Sequence, residues 1–395
     1  MLSTSTYPRM QYRFSVTTAA FVLGRLIAFA APFSFAQSNQ IHQLSYNNSF
    51  WSDQNLNETE DYPASSLAAF PTTPNDQSHV YYLSSTFPQH VHQLFFNGTS
   101  WSDEDLTALS GAKPSAVNGP VVGFSVGNYQ YVYYIDDSAP SHIHQLLYNN
   151  VSWKDTDLTK KSGSPVSADD LSGLVAFTTS PALHVYYVDG SGNSNNIRQL
   201  FSSTGTTWQD SALTNFTDNE MPYLATGFNI GNLQYVYWQD QSNFDNHQLS
   251  YNNSNWSDAD LSKLIKSPFD GVSAALVIPG TQKIRVYSIN YVNGHLLQLS
   301  SPNNGKWSVT DLTEKSKGPF PLNPEQILAF VTTPNNEIHV FYEYESQIYQ
   351  TYQSSPNTWT TESLTQQGNG AFAGAYTTIQ GFAVGNLQYV FYSAQ

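Results

Sequence analysis

A glutamine, a tryptophan and one variable slot recur in seven registers along the 395 residues, and these side chains have chemistry to offer. Gln43, Gln93, Gln145, Gln199, Gln248, Gln298 and Gln350 precede by eight or nine residues Trp51, Trp101, Trp153, Trp208, Trp256, Trp307 and Trp359. The variable slot, immediately ahead of a recurring valine, holds Arg285 in one unit and His79, Tyr131, His184, Tyr235, His339 and Tyr389 in the others. Glutamine brings a donor and an acceptor, arginine a charged fork, histidine and tyrosine fewer hydrogen bonds, and the rings an apolar face. That set suits reversible binding. Carboxylate hydrolysis needs two acids roughly 5 to 9 Å apart in one asymmetric site, whereas the acids of this chain repeat with the units.

Asp53, Asp103, Asp155, Asp210 and Asp258 stand two residues after a tryptophan, and Asp105, Asp157, Asp260 and Asp311 precede a leucine. Bracing of turns is the reading preferred over calcium, because the loop glycine and bidentate acid of a calcium loop are missing. His42, His92, His144 and His247 directly precede the glutamine, on the opposite strand face, and are expected to fill surface or interblade space. The same slot is Arg198, Leu297 and Tyr349 elsewhere, which argues against a ring of metal ligands. The absence of cysteine removes thiolate catalysis, disulfides and cysteine-based metal sites. Nucleophile-elbow and zincin motifs are missing too. Glu343 and Glu345 break the repeat but read as a solvated loop. No catalytic residue, metal or cofactor is assigned, and the chain is not expected to be an enzyme.

The elements that would carry these residues are short strands. The tryptophans lie 50, 52, 55, 48, 51 and 52 residues apart, with only Trp238 outside the series. A leucine follows each by five residues, and Val80, Val132, Val185, Val236, Val286, Val340 and Val390 are each followed by Tyr or Phe. A period near 50 means a solenoid, a propeller or an array. Each unit holds four strand-like runs without helical periodicity, for example 122–126, 131–135, 143–148 and 153–158, which is the content of a propeller blade. Gly127-Asn128, Gly231-Asn232 and Gly385-Asn386 predict tight hairpins, and proline loops such as Thr333-Pro334-Asn335 predict longer ones. The alternation of turn types points to growth partly by doubling of a two-blade unit.

The sequence after residue 36 opens with the third and fourth strands of a unit and finishes with the first and second. Together these halves make one blade. The expected fold is all-β: a seven-bladed propeller of four-stranded antiparallel blades over residues 37–395, one domain closed by a two-plus-two latch between the termini. Residues 1–36 lack acids, carry Arg9 and Arg13, and run apolar from Phe14 to a small-x-small site at Ser34-Phe35-Ala36, as a signal peptide does, with a disordered or membrane-tethering leader as the alternative. Export is therefore expected, with no membrane insertion of the mature chain. Fifteen basic residues against 30 acidic ones, a net charge of −15, disfavour nucleic acid and anionic lipid as partners.

Ile284-Arg285-Val286-Tyr287, then Leu296-Leu297-Gln298, then Trp307 reproduce in order the blade pattern of the fungal fucose-binding lectins, which the chain resembles across residues 37–395. The resemblance implies a multivalent, non-catalytic glycan-binding protein with sugar pockets between blades. There the variable slot and the glutamine would meet hydroxyls, and aromatic faces the apolar side of the ring. It implies fucosylated glycans as ligands. Those lectins are typically six-bladed, whereas seven units are counted here. Arg285, Gln298 and Trp307, or an aromatic of an adjoining blade, would form the best pocket, with the His and Tyr units supplying weaker ones. Tryptophans that only fill interblade wedges, and glutamines that only satisfy a strand edge, are the structural alternative. A protein-interaction propeller is the alternative function, with a glycan-active enzyme behind it; a homo-oligomer is compatible with either.

Overall fold

The computed structural model describes residues 40–56, 63–73, 77–97, 99–164, 172–190, 195–215, 220–265, 269–290, 292–302, 306–321, 327–355, 357–374 and 377–394. The leader expected at 1–36, with its expected cleavage site, lies outside the described residues.

The valine series marks the second strand of each unit, where the alternating apolar positions face a neighbouring blade on either side and nearly every residue is buried. Six blades follow in chain order. Their strands are Pro63–Thr72, Gln77–Ser84, Val91–Phe96 and Trp101–Asp105 in the first, then Val121–Val126, Tyr129–Ile135, Ile143–Tyr148 and Trp153–Asp157 in the second. The third has Val175–Thr179, Ala182–Val188, Ile197–Ser202 and Gln209–Ala212, and the fourth Pro222–Ile230, Leu233–Asp240, Asp245–Tyr251 and Trp256–Asp260. The fifth has Asp270–Val277, Lys283–Ile289, Leu296–Pro302 and Ser308–Asp311, and the sixth Leu328–Thr332, Glu337–Tyr344, Gln347–Ser355 and Thr358–Ser363. The seventh takes Ile379–Val384 and Leu387–Ala394 from one end and Gln40–Tyr46 and Trp51–Asn55 from the other.

The joint in that blade runs antiparallel from Gln40 opposite Ala394 to Tyr46 opposite Gln388. The Tyr392 hydroxyl adds a contact of 3.0 Å to Asp53 of the opposite end. The latch is thus made by main chain and side chain alike, and the ring is a closed seven-bladed propeller. Each junction between neighbouring blades carries its own apolar cluster. Trp51, Trp101, Trp153, Trp208 and Trp256 pack there edge-on against the ring after the valine of the preceding blade, at 5.9 to 6.5 Å and 73 to 78°. The tryptophans do fill the wedges.

The blades are of two kinds, which alternate except at the fifth and sixth. Opposite the valine, the first strand has glycine in the second, fourth and seventh blades (Gly123, Gly227, Gly381) and alanine in the others (Ala69, Ala176, Ala275, Ala329). A Cβ at Gly123 would stand 2.6 Å from the Tyr131 carbonyl and 2.8 Å from Phe70, so close approach to the preceding blade excludes a side chain. The glycine blades also own the three tight turns, with Gly127, Gly231 and Gly385 at φ near +60°. The proline loop at Thr333-Pro334-Asn335 is longer, as expected, with Thr332 paired to Glu337, but Ser180-Pro181 departs from that rule: Thr179 pairs with Ala182, so two residues suffice, with proline in the cis form that a type VI turn accepts.

A second correction concerns the leucine series. The fourth strand ends one residue earlier than expected, and the buried leucine opens a one-turn helix: Leu106–Ser110, Leu158–Ser162, Leu261–Ile265, Leu312–Ser316 and Leu364–Gln367. The residue before it is the cap: Asp105, Asp157, Asp260 and Asp311 each accept from the backbone N–H three residues on, at 2.8 to 2.9 Å. The hydroxyl after the leucine then accepts from the first N–H of the third strand, as from Val91 to Thr107 and Ile143 to Thr159 at 2.9 Å.

Candidate functional site

Strand register decides which repeated residues meet. Gln93 pairs with Glu104, three positions after Trp101, so glutamine and tryptophan of one unit fall on opposite faces of the blade. The variable slot, two residues from the ring that follows the valine, shares the glutamine's face. Each junction therefore combines the slot and glutamine of one blade with the tryptophan of the next. Arg285 and Gln298 face the sixth blade with Tyr287, whose cluster contains Trp359; Trp307 packs in the cluster of the fourth blade with Tyr237. The structure does not bring Arg285, Gln298 and Trp307 together, and the same split applies to His79, Gln93 and Trp101.

Three junctions share a fuller design: first to second, third to fourth, and sixth to seventh blade. In each the slot is histidine and the following blade adds a glutamine two residues ahead of its valine. At the first, the Gln93 amide lies 2.6 Å from His79 Nδ1, 3.1 Å from the Tyr81 hydroxyl and 2.9 Å from Gln130 Oε1, and Tyr81 donates to Gln130. At the second, Gln199 reaches His184 at 2.9 Å, Tyr186 at 3.0 Å and Gln234 at 3.1 Å. At the third, Gln350 donates to His339 and, at 3.1 Å, to Gln388, while Phe341 replaces the tyrosine. Each histidine Nε2 meets a threonine hydroxyl, Thr72 at 3.3 Å, Thr179 at 2.7 Å and Thr332 at 3.2 Å. Burial pushes all three imidazoles down to about 4, so they are neutral near pH 7. The tautomer follows: Nδ1 accepts from glutamine and Nε2–H donates to threonine.

Cavities open above two of these floors. One of about 480 Å³ is lined by His79, Gln93, Phe95, Glu104, Gln130 and Trp153, among others. The other, of about 230 Å³, has the equivalent His339, Gln350, Tyr352, Glu362, Gln388 and Trp51. Glu104 and Glu362, each beside the floor glutamine, were missed from sequence because that position is Gln54, Thr156, Ser211, Ala259 and Thr310 in the other units. Their signal was coincidence with His79 and His339.

The remaining junctions are built differently. Tyr131, Tyr235 and Tyr389 lie 5.3 to 5.4 Å from Phe124, Phe228 and Phe382 of their own blades. Gln145 donates to Tyr133 at 3.0 Å. Half-buried Arg285 spends Nη1 on the carbonyl of Ile284 at 3.1 Å, and its Nε is buried without a partner. Gln298 accepts from Tyr287 and donates to Ser300, each at 3.2 Å, and does not bond Arg285. Gln43 and Gln248 are buried as well.

The other histidine series holds blades together rather than filling space. His42, His92, His144 and His247 reach Asp53, Asp103, Asp155 and Asp258 at 2.7 to 3.3 Å, and Arg198 does the same to Asp210. Where the slot is Leu297 or Tyr349, the acid is replaced by Val309 or Thr361. Burial opposes charge on His144, but Asp136 and Asp155 outweigh it and raise its pKa to about 9. Its Nε2 stands 3.4 Å from Asp136 yet off the line of a hydrogen bond, so the contact is ionic. A further series sequence reading missed, His90, His142 and His295, pairs with the capping acids Asp105, Asp157 and Asp311 at 2.7 to 2.8 Å. Glu314 joins the last pair within 4.8 Å, but Asp311 is already both cap and partner there. Glu343 accepts from Ser346 N–H in the turn that leads to exposed Glu345.

No family model and no curated protein matches this sequence. Solved structures do. The BP39L lectin from Burkholderia pseudomallei superposes with a TM-score of 0.57 at 15% identity, over 81% of this chain and 89% of that one. AofleA from Arthrobotrys oligospora gives 0.52 at 13%, over 89% and 92%. A variant of the Aleuria aurantia lectin in complex with Fucα1-6GlcNAc gives 0.51 at 19%, over 77% and 96%. At such identities the likeness is one of fold, and it agrees with the resemblance read from the blade pattern.

Proposed function

We propose that the protein is a secreted, non-catalytic lectin that reads glycans multivalently in pockets between blades. The observation that carries this reading is the pair of equivalent interblade cavities, each with a neutral His–Gln–Gln floor, a glutamate beside it and a tryptophan from the next blade. The floor groups are largely spent on one another, which fixes the glutamine and leaves the carboxylate to accept from vicinal hydroxyls. The aromatic wall suits the apolar face of a pyranose. Pockets that are weak singly gain roughly 100-fold to 10,000-fold when several engage one surface. The Fucα1-6GlcNAc bound by the Aleuria aurantia lectin variant of similar fold makes fucosides the first sugars to try.

A glycan array followed by calorimetric titration of the chain from Gln37 onward tests this. Glu104→Ala should weaken one class of site about tenfold, with melting unchanged, and Arg285→Ala should leave that class intact. Binding of no glycan, or full binding by Glu104→Ala, sinks the reading in favour of a protein-interaction propeller. N-terminal sequencing of exported material should find cleavage near Ala36.

A further inference from the structure

The three histidine junctions share one floor and differ at two rim positions. Two residues ahead of the histidine stand Gln77, Ala182 and Glu337; beside the floor glutamine stand Glu104, Ser211 and Glu362. The junctions thus carry one, no and two carboxylates. In the two-carboxylate pocket, at the ring closure, Glu337 and Glu362 share a cavity of about 230 Å³ with Tyr46, Phe50, Trp51 and Tyr352, and no lysine or arginine lines it. Burial first, then Glu362, then more weakly Glu337, push the Tyr352 hydroxyl up, so both negative charges are felt at this ring. Gln367 donates to Glu362 at 2.8 Å and steadies it. The one imidazole in the pocket, His339, is neutral near pH 7.

The surroundings reinforce the sign. After residue 36 all twelve Lys and Arg fall between 113 and 317, whereas 37–112 and 318–395, which supply the sixth, seventh and first blades, contain thirteen acids and no such cation. A cleft lined by one sign of charge focuses potential and gathers counter-ions. Aromatic rings around it add cation–π attraction.

We propose that the closure pocket takes a protonated amino sugar, a hexosamine whose amine is not acetylated, in preference to its neutral N-acetyl counterpart. The proposal rests on the glycan-binding reading and assigns one pocket of the set a distinct ligand class. The ammonium donates to Glu337 and Glu362 while the ring lies against Tyr46 and Tyr352; an acetyl group removes both the charge and two of the three donors.

The test is titration near pH 6 with glucosamine, N-acetylglucosamine and a methyl fucoside, at low and high salt. Glucosamine should bind one site per chain about tenfold more tightly than N-acetylglucosamine and lose affinity with salt. Glu337→Gln and Glu362→Gln should each abolish that preference, with unchanged melting and unchanged fucoside binding at the Glu104 pocket. Equal affinity for the two glucosamines, or a preference that survives both substitutions, overturns the assignment while fucoside binding keeps the lectin reading. Binding of none of the three sugars overturns both.

Discussion

His79, His184 and His339 on the second strands and His42, His92 and His144 on the third are all buried, yet they live in opposite electrostatic regimes. The first group hydrogen-bonds to glutamine amides and threonine hydroxyls, and only His339 has a carboxylate near it, Glu337 at 3.9 Å from Nε2, so desolvation prevails and their pKa falls to about 4. The second group meets aspartates, and at His144 two carboxylates overcome burial and lift it to about 9. Partner, more than depth, decides where the proton sits. The neutral histidines hold a pocket floor in one tautomer; the paired ones tie third strands to fourth.

The largest expected effect breaks the comparison at the acid side. A histidine whose folded pKa lies below its unfolded 6.5 gives stability that is present above about pH 6.5 and lost as pH falls toward 4. Each of the three inner histidines then contributes up to about 3 kcal/mol across that window, up to about 9 kcal/mol together. Urea midpoints between pH 7 and 4 should drop steeply for the wild type and less for the variant with all three changed to glutamine. An acid limb that keeps its slope in that variant would show that the inner histidines are not its source. Glycan binding should fail over the same window, because a protonated Nδ1 cannot accept from the floor glutamine.

His144 bears on the alkaline side with the opposite sign. Its folded pKa lies above 6.5, so its contribution is complete below about pH 6.5 and fades as pH rises through 9. His144→Gln should cost about 3 kcal/mol at pH 6 and little at pH 10. A loss that is the same at both values would mean that packing against Tyr134, 5.4 Å away, matters and the charge does not. With both groups intact, stability should peak near pH 6.5.

The ring closure was legible because the repeat begins with Gln43 and Trp51 and ends with Val390: half a unit at each end can only complete one blade. The pairing within pockets was less so. Spacing along the chain joins Gln298 to Trp307, but the hairpin register sets them on opposite faces, and a slip of one residue would reverse that parity. The short helices left no trace because four or five residues are too few for a 3.6-residue period to show. Glu104 and Glu362 were invisible to a search for what repeats, since pocket specificity sits at positions that vary.

The smallest effect separates two duties of one aspartate. Asp105 caps the helix Leu106–Ser110 through Ala108 N–H at 2.8 Å and also meets His90 at 2.7 Å. Unlike the His144 cluster, this pair is open, with the side chains 29% and 30% exposed, and water screens it. Asparagine caps as well as aspartate does but carries no charge. Asp105→Asn should therefore shift urea stability by less than about 0.5 kcal/mol, whereas Asp105→Ala should cost about 1 kcal/mol by freeing the N–H. A larger loss in the asparagine variant, erased by salt, would place the exposed pair in the same class as the buried one and make histidine–aspartate contact, not its depth, the source of blade cohesion.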